Sequence, residues 1–204
     1  MLNVTRILSV ITIACLLSSC SIVVSILEML NKERTNDRLD QTLIETRLEM
    51  LNKSTDDEIA DAFLEKVVES IKDKDKDVLK ALFSENALNQ ADDFDGNADY
   101  LFEFIQGEIT SWKKSSGPTV FDSVNKGHTT KEISSYYYVS TDKQEYFFLM
   151  EEIPIDTKQP DNVGLSLLLV VKADDRLKVY DIDQKIFSVG EQEILRFGVY
   201  LPFR

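Results

Sequence analysis

Beyond position 20 the chain has no cysteine, since both thiols, Cys15 and Cys20, fall among the first twenty residues. Whatever folds after them lacks a disulfide, a redox thiol and a thiolate metal site, and must be held together by its core. Histidine is nearly as scarce. His128 stands alone, which excludes a histidine-rich metal centre and leaves any Ser–His–Asp triad dependent on one residue. Its neighbours Lys126, Gly127, Thr129 and Thr130 are turn-like and polar, the surroundings of a solvated loop histidine. Positive charge is also in deficit: 23 basic against 36 acidic residues give a net charge of −13. A surface with that balance repels phosphate backbones and anionic headgroups, so nucleic acid is a poor partner. There is no nucleophile elbow, no phosphate-binding glycine loop and no pair of histidines, which favours a noncatalytic role without a cofactor.

What is present fits one domain behind a targeting segment. A chain of 204 residues with 43% hydrophobic and 29% charged residues has enough apolar side chains for one core of ordinary size. Residues 1–6 carry one basic side chain, Arg6, and an uncharged apolar run follows to Leu17, the organisation of an export signal. The run closes on Leu17-Ser18-Ser19-Cys20, which resembles the lipobox of bacterial lipoproteins. That resemblance implies removal of residues 1–19, a diacylglycerol on the Cys20 thiol, and acyl chains that partition into a bilayer at about 0.8 kcal/mol per methylene. The alternative is an uncleaved anchor, because residues 7–27 are uncharged and long enough to span a membrane. Both readings put the domain outside the cytoplasm, attached to the cell membrane.

Residues 20–53 read as a charged, helix-prone tether, with the folded domain over 54–204. At Thr55 and Glu58 the spacing is that of a capping box, and Ile59, Ala62, Phe63, Val67 and Ile71 recur at helical steps. The alternating Asp73, Lys74, Asp75, Lys76, Asp77 interrupts the pattern before a short helix with Leu79 and Leu82. Ser84 offers a further cap, 92–97 reads as a loop, and a helix holding Tyr100, Leu101 and Phe104 ends at Gly107. The period then drops to two. Strands are predicted at 109–114, 131–141, 145–156, 163–173 and 177–180, with turns at 141–144 and 159–162. Helices first and antiparallel strands after them predict an α+β domain with its helices packed on one sheet face.

The run Lys74 to Ser84 looks like the helix–helix junction of cone-shaped domains similar to nuclear transport factor 2, of the cystatin-like type. More narrowly, Tyr100-Leu101-Phe102-Glu103-Phe104-Ile105-Gln106-Gly107, Ser140-Thr141-Asp142-Lys143 and Pro160-Asp161-Asn162-Val163-Gly164 resemble segments of a bacterial lipoprotein family known only as a domain of unknown function. That resemblance implies a curved sheet, a lipid anchor and no particular reaction.

A cone implies a pocket between helices and sheet. Tyr100, Trp112, Tyr136, Tyr138 and Glu151 are the polar-tipped residues expected near it. Tyr137 must face opposite to Tyr136 and Tyr138, so at most one set lines a cavity. Glu151 beside tyrosine hydroxyls would suit acid–base chemistry; the plainer reading leaves it on a solvated face. Asp73, Asp75 and Asp77 resemble the start of a calcium loop, but Val78 stands where that loop needs glycine, and the aspartates around Gly96 do not match its spacing either. No metal site is expected. The sequence therefore points to a membrane-tethered binding module for a small ligand or an envelope protein. Two rivals are a cone-fold isomerase or hydratase acting on an apolar molecule, and a structural subunit of an envelope or secretion complex.

Overall fold

The computed structural model describes residues 55–179, 188–189, 192–193 and 197–202. The expected signal segment, Cys20 and the tether lie outside them.

Each of the first four helices begins where a short polar side chain can accept from a backbone amide three residues on. Helix α1 (Asp56–Asp73) opens with the capping box: Glu58 N donates to Thr55 Oγ1 at 3.2 Å, and Thr55 N donates to Glu58 Oε2 at 3.1 Å. It ends as Lys74 turns left-handed, at φ 53°. Asp75 then caps α2 (Lys76–Leu82) and Ser84 caps α3 (Glu85–Gln90). Helix α4 (Phe94–Phe104) starts earlier than the sequence pattern suggests. Asp93 accepts from Gly96 N at 3.0 Å, so most of the expected loop 92–97 is the cap and first turn of this helix. Asp95, Gly96 and Asn97 give its first turn the composition of a loop, although Phe94 and Ala98 are buried in the core. Gly107, at φ +87°, lies beyond the helix end and turns the chain into the sheet. A Cβ there would meet the Asp142 carboxylate at 2.0 Å, and that carboxylate accepts from Glu108 N at 2.8 Å.

Strands β1 (Ile109–Lys114) and β2 (Thr119–Asn125) both pair antiparallel with β3 (His128–Thr141). The ladder continues antiparallel through β4 (Glu145–Asp156) to β5 (Gly164–Lys172). Two expectations need correction. The expected all-antiparallel sheet is mixed, because the closing strand Gly198–Tyr200 runs parallel to β5. Of the expected strand at 177–180, residues 177–179 belong instead to the helical turn Arg176–Val179 (α5), which follows a 3-10 turn at Ala173–Asp175; Tyr180 lies outside the described residues. Leu177 of α5 is 69% exposed, so the apparent alternation there reflects no buried sheet face. The sequence pattern does not mark β2, because only Val120 of its apolar side chains packs against the core, while Phe121 and Val124 are 57% and 76% exposed. A 3-10 turn, Pro160–Asn162, and a two-residue strand pair, Ser188–Val189 with Gln192–Glu193, complete the described elements.

The two sheet faces are both buried but differ in partners. Ile133, Tyr137 and Val139 of β3, Tyr146, Phe148 and Met150 of β4, and Leu165, Leu168 and Val170 of β5 pack with Ile59, Phe63 and Val67 of α1 and with Leu79, Leu82 and Leu101. The alternate residues Tyr136, Phe147, Leu149, Leu167, Leu169 and Val171 form a second cluster with Val179, Tyr138 and Tyr200. Strand β5 is thus apolar on both sides, as its continuous hydrophobic run requires. Burying each large side chain contributes about 1.5–3 kcal/mol.

The β4–β5 connection is clamped to the helices. Asp156 accepts from the Lys158 and Gln159 amides and from Asn162 Nδ2 at 2.8 Å, and Asn162 Oδ1 accepts from Asn86 at 2.7 Å. Two residues on, Gly164 lets β5 approach the α2–α3 junction, where Ser84 N donates to Leu165 O at 2.9 Å.

Candidate functional site

Because side chains alternate along a strand, Ser135 and Tyr137 of β3 point to the helix side with Ile133. Glu152 of β4 pairs with Ile133 on one side and Leu165 on the other, both members of the helix-side core. The sheet therefore carries a carboxyl into the interior. Glu152 is 0% exposed; its Oε1 accepts from Ser135 Oγ at 2.7 Å, and its Oε2 has no hydrogen-bond partner among the described residues. Burial pushes this carboxyl up to about 8, the Ser135 hydroxyl opposing and the Glu151 charge reinforcing the rise. At neutral pH it is an uncharged acid.

From there a polar track leads to the surface. The Tyr137 hydroxyl donates to Asp61 Oδ1 at 2.9 Å, and burial, then the Asp61 carboxylate, raise its pKa. Asp61 Oδ2 pairs with Lys114 Nζ at 3.0 Å, and Lys114 also binds Asp57 at 2.5 Å. Partial burial works against the Lys114 charge, but its two aspartate partners outweigh that and raise its pKa. Lys131 holds Asp56 at 2.8 Å. Trp112 meets the Tyr137 ring edge-on, with centroids 5.6 Å apart. The track can store a proton at Glu152, yet it presents no open surface there to a substrate.

The chain also forms a cleft of about 420 Å³ between the end of α4 and the end of β5, lined by Tyr100, Phe104, Val171, Lys172 and Asp175 among others. The Tyr100 and Phe104 rings lie 5.9 Å apart, and Phe104 meets Tyr146 edge-on at 5.5 Å. Beneath them the fully buried Tyr146 hydroxyl accepts from Gln106 N at 2.8 Å, donates to Phe104 O at 3.0 Å and contacts Gln144 Nε2. The wall of the cleft is therefore pinned to β4.

The five residues expected around one pocket do not converge. Tyr100 lines this cleft; Trp112 borders a different groove with Val68 and Lys72. Tyr136 and Tyr138 lie on the sheet face away from α1, with Tyr138 edge-on to Phe147 at 5.7 Å and Lys113 above its ring. Glu151, opposite Ser134 and Leu167, shares that far face, where burial and then the Glu132 charge raise its carboxyl. The buried acid is its neighbour, Glu152. The signal for it was available: if Tyr137 faces the helices, its partner Phe148 does too, and counting by twos gives Met150 and Glu152. Nothing local marks Ser135, Asp61 or Lys114.

The acidic clusters serve helix ends and ion pairs. Asp75 and Asp93 are caps, Asp99 pairs with Lys76 at 2.6 Å, and Asp95 pairs with Lys80 at 3.4 Å. Among the described residues no group of three acidic, histidine or cysteine side chains is arranged for a metal ion. No helix among them is long and apolar enough to cross a membrane.

Residues 66–173, more than half of the chain, match the family model described as Domain of unknown function (DUF5104). The chain belongs to the DUF5104 family. No curated protein matches it. The DUF5104 segment runs from the middle of α1 to the end of β5 and takes in Trp112, Lys114, Ser135, Tyr137 and Glu152, the Asp156–Asn162 clamp and Gly164. Asp56, Asp57, Asp61 and the parallel closing strand fall outside it.

Proposed function

We propose that this protein is a lipid-anchored, outward-facing component of a bacterial membrane that works as a noncatalytic binding module. Its fold is a cone of the nuclear-transport-factor-2 type, and its ligand surface is the Tyr100–Phe104 cleft. The anchor rests on the apolar run that closes on Leu17-Ser18-Ser19-Cys20. The cone reading is supported by helices covering one face of a sheet whose pairings shift register at Ile109/Ser111, Lys131/Ile133 and Glu151/Glu152. Such bulges bend strands.

A contrast in access carries the binding role. The cleft offers aromatic faces beside an acid, Asp175, and a base, Lys172, the composition of a ligand or side-chain recognition site. The strongly perturbed acid, Glu152, is sealed from solvent, whereas general acid catalysis needs its acid within hydrogen-bond reach of the substrate.

The test is intact mass of the full-length chain extracted from bacterial membranes, with Cys20→Ala and Tyr100→Ala beside it. The expected mass is the chain from Cys20 onward plus lipid, lost in Cys20→Ala, with any co-purified ligand or partner lost in Tyr100→Ala. An unprocessed, lipid-free mass refutes the anchor and favours a spanning subunit of an envelope complex. Ligand retention unchanged by Tyr100→Ala refutes the cleft. A second reading, a cone-fold isomerase or hydratase, is favoured by the neutral Glu152 near Tyr137. Turnover of an apolar substrate that vanishes in Glu152→Gln while cleft binding persists would establish it.

A further inference from the structure

Glu152 occupies a place where an ionised carboxylate has little support. It is fully buried, one oxygen lacks a partner among the described residues, and the side chains acting on its charge are the Ser135 hydroxyl and the like-charged Glu151. Tyr137 links it to the start of α1: its hydroxyl feels the Glu152 charge and donates to Asp61. On the helix side of β3, Lys131 and Tyr137 stand on either side of Ser135; Asp56 holds Lys131 at 2.8 Å and Asp61 receives the Tyr137 hydroxyl at 2.9 Å. The stretch from Asp56 to Asp61, about one and a half helical turns, therefore lies over the Ser135–Glu152 pair, with Ile59 and Ala60 buried beneath it.

We propose that the N-terminal half of α1 is a proton-controlled latch, seated on β3 while Glu152 holds its proton and released when Glu152 gives it up. A carboxylate with one hydroxyl donor in a dry interior must either be neutralised or reach water. Of the surfaces enclosing it, β3 and β5 belong to a continuous hydrogen-bonded ladder. The start of α1 is tied down by Lys131–Asp56, Lys114–Asp57 and Lys114–Asp61, ion pairs at the surface, which individually contribute little. That cover yields before the ladder does.

The groups around Glu152 reinforce the direction. From α1 come Asp56, Asp57 and Asp61; from β3, Lys131, Glu132, Ser135 and Tyr137; from β1, Lys114; from β2, Asp122; from its own strand, Glu151. β5 contributes apolar Leu165, opposite Glu152. Both lysines are already engaged by aspartates of α1, so neither is free to neutralise a new charge at Glu152. The track Ser135, Tyr137, Asp61, Lys114 gives the proton a route to solvent.

Trp112 is the single tryptophan of the chain and packs against Tyr137, so its emission reports this junction. The full-length protein is titrated from about pH 6 to about pH 9.5, below ordinary tyrosine ionisation, following Trp112 emission and hydrogen exchange of the α1 amides. The expected result is one transition near pH 8, with the excess exchange of the first α1 turns growing about tenfold per pH unit until α1 is released. Glu152→Gln abolishes the transition, and Ser135→Ala moves its midpoint upward, because the lost hydroxyl stabilised the charged form. No transition in the natural chain, or the same transition in Glu152→Gln, overturns the latch. Should Glu152→Gln fail to fold, an unmoved midpoint in Ser135→Ala overturns it equally.

Discussion

Replacing Gly164 with alanine tests the clamp between β5 and the helices most directly. Gly164 has φ +131°, a conformation that side-chain-bearing residues rarely adopt, and an added Cβ would lie 2.9 Å from Ser84 N, 3.1 Å from Leu82 O and 3.2 Å from Phe83 C. All three are backbone atoms, and Ser84 N is engaged with Leu165 O at 2.9 Å, so no flexible side chain can swing aside. Strain at such a φ costs about 1–3 kcal/mol. Forcing a methyl into packed backbone adds about 1–3 kcal/mol, and the stiffer unfolded chain returns about 0.4–1 kcal/mol. The expected loss is about 3 kcal/mol, or roughly 10 °C in Tm for a domain of this size. Urea unfolding followed by far-ultraviolet circular dichroism measures it as a lower midpoint with an unchanged slope. Gly117→Ala is the control, because nothing lies within 4 Å of its added Cβ, and it is expected within about 0.5 kcal/mol of the natural chain. A Gly164→Ala loss below about 1 kcal/mol would refute the close approach of β5 to the α2–α3 junction.

Global stability carries a pH signature of its own. The Glu152 carboxyl is raised from 4.5 in the unfolded chain to about 8 when folded. Its contribution is therefore complete below about 4.5 and lost as pH rises to about 8, at about 1.4 kcal/mol per unit, or about 3 kcal/mol by pH 7. Glu152→Gln is expected to be flat across that window and more stable than the natural chain at pH 7 in parallel urea melts; superimposable pH profiles would contradict the burial. Asp156 works in the opposite sense. Its slight burial acts against the charge, but donors from Asn162, Gln159 and Lys158 outweigh it and lower its pKa, so its contribution is present above the ordinary carboxylate range and fades as pH falls. Tyr146→Phe removes the hydroxyl that serves Gln106 N and Phe104 O, and should cost about 1–3 kcal/mol. Hydrogen exchange should rise at Gln106, and unchanged protection there would show that the cleft wall is held by other contacts.

Much of the fold was legible because its signals are short in range. A cap is a contact between residues three apart, so Thr55–Glu58 and Ser84–Ala87 could be read directly, as could the turn at 141–144, where Thr141 Oγ1 accepts from the Lys143 and Gln144 amides. The continuous apolar run of β5 also announced a strand covered on both faces. The first turn of α4 reads as a loop because Asp92, Asp93, Asp95, Gly96 and Asn97 are turn formers, although its Asp93–Gly96 cap is as local as the others; strand β2, with Phe121 and Val124 exposed, carried no buried-face signal.

The candidate site divides along the same line. By itself the sequence determined that Tyr137 opposes Tyr136 and Tyr138, and that Glu151 and Glu152 look opposite ways, because alternation is a property of the extended backbone. Only the tertiary structure decided which set meets the helices. It paired β3 with β4 so that Ser135 lies beside Glu152, and it laid Asp61 of α1 on Tyr137, 76 positions away in the chain. It also ran the closing strand parallel to β5. A strand's period says that neighbours differ; the choice of buried face and the placing of a carboxyl beneath a helix belong to partners hundreds of backbone bonds away.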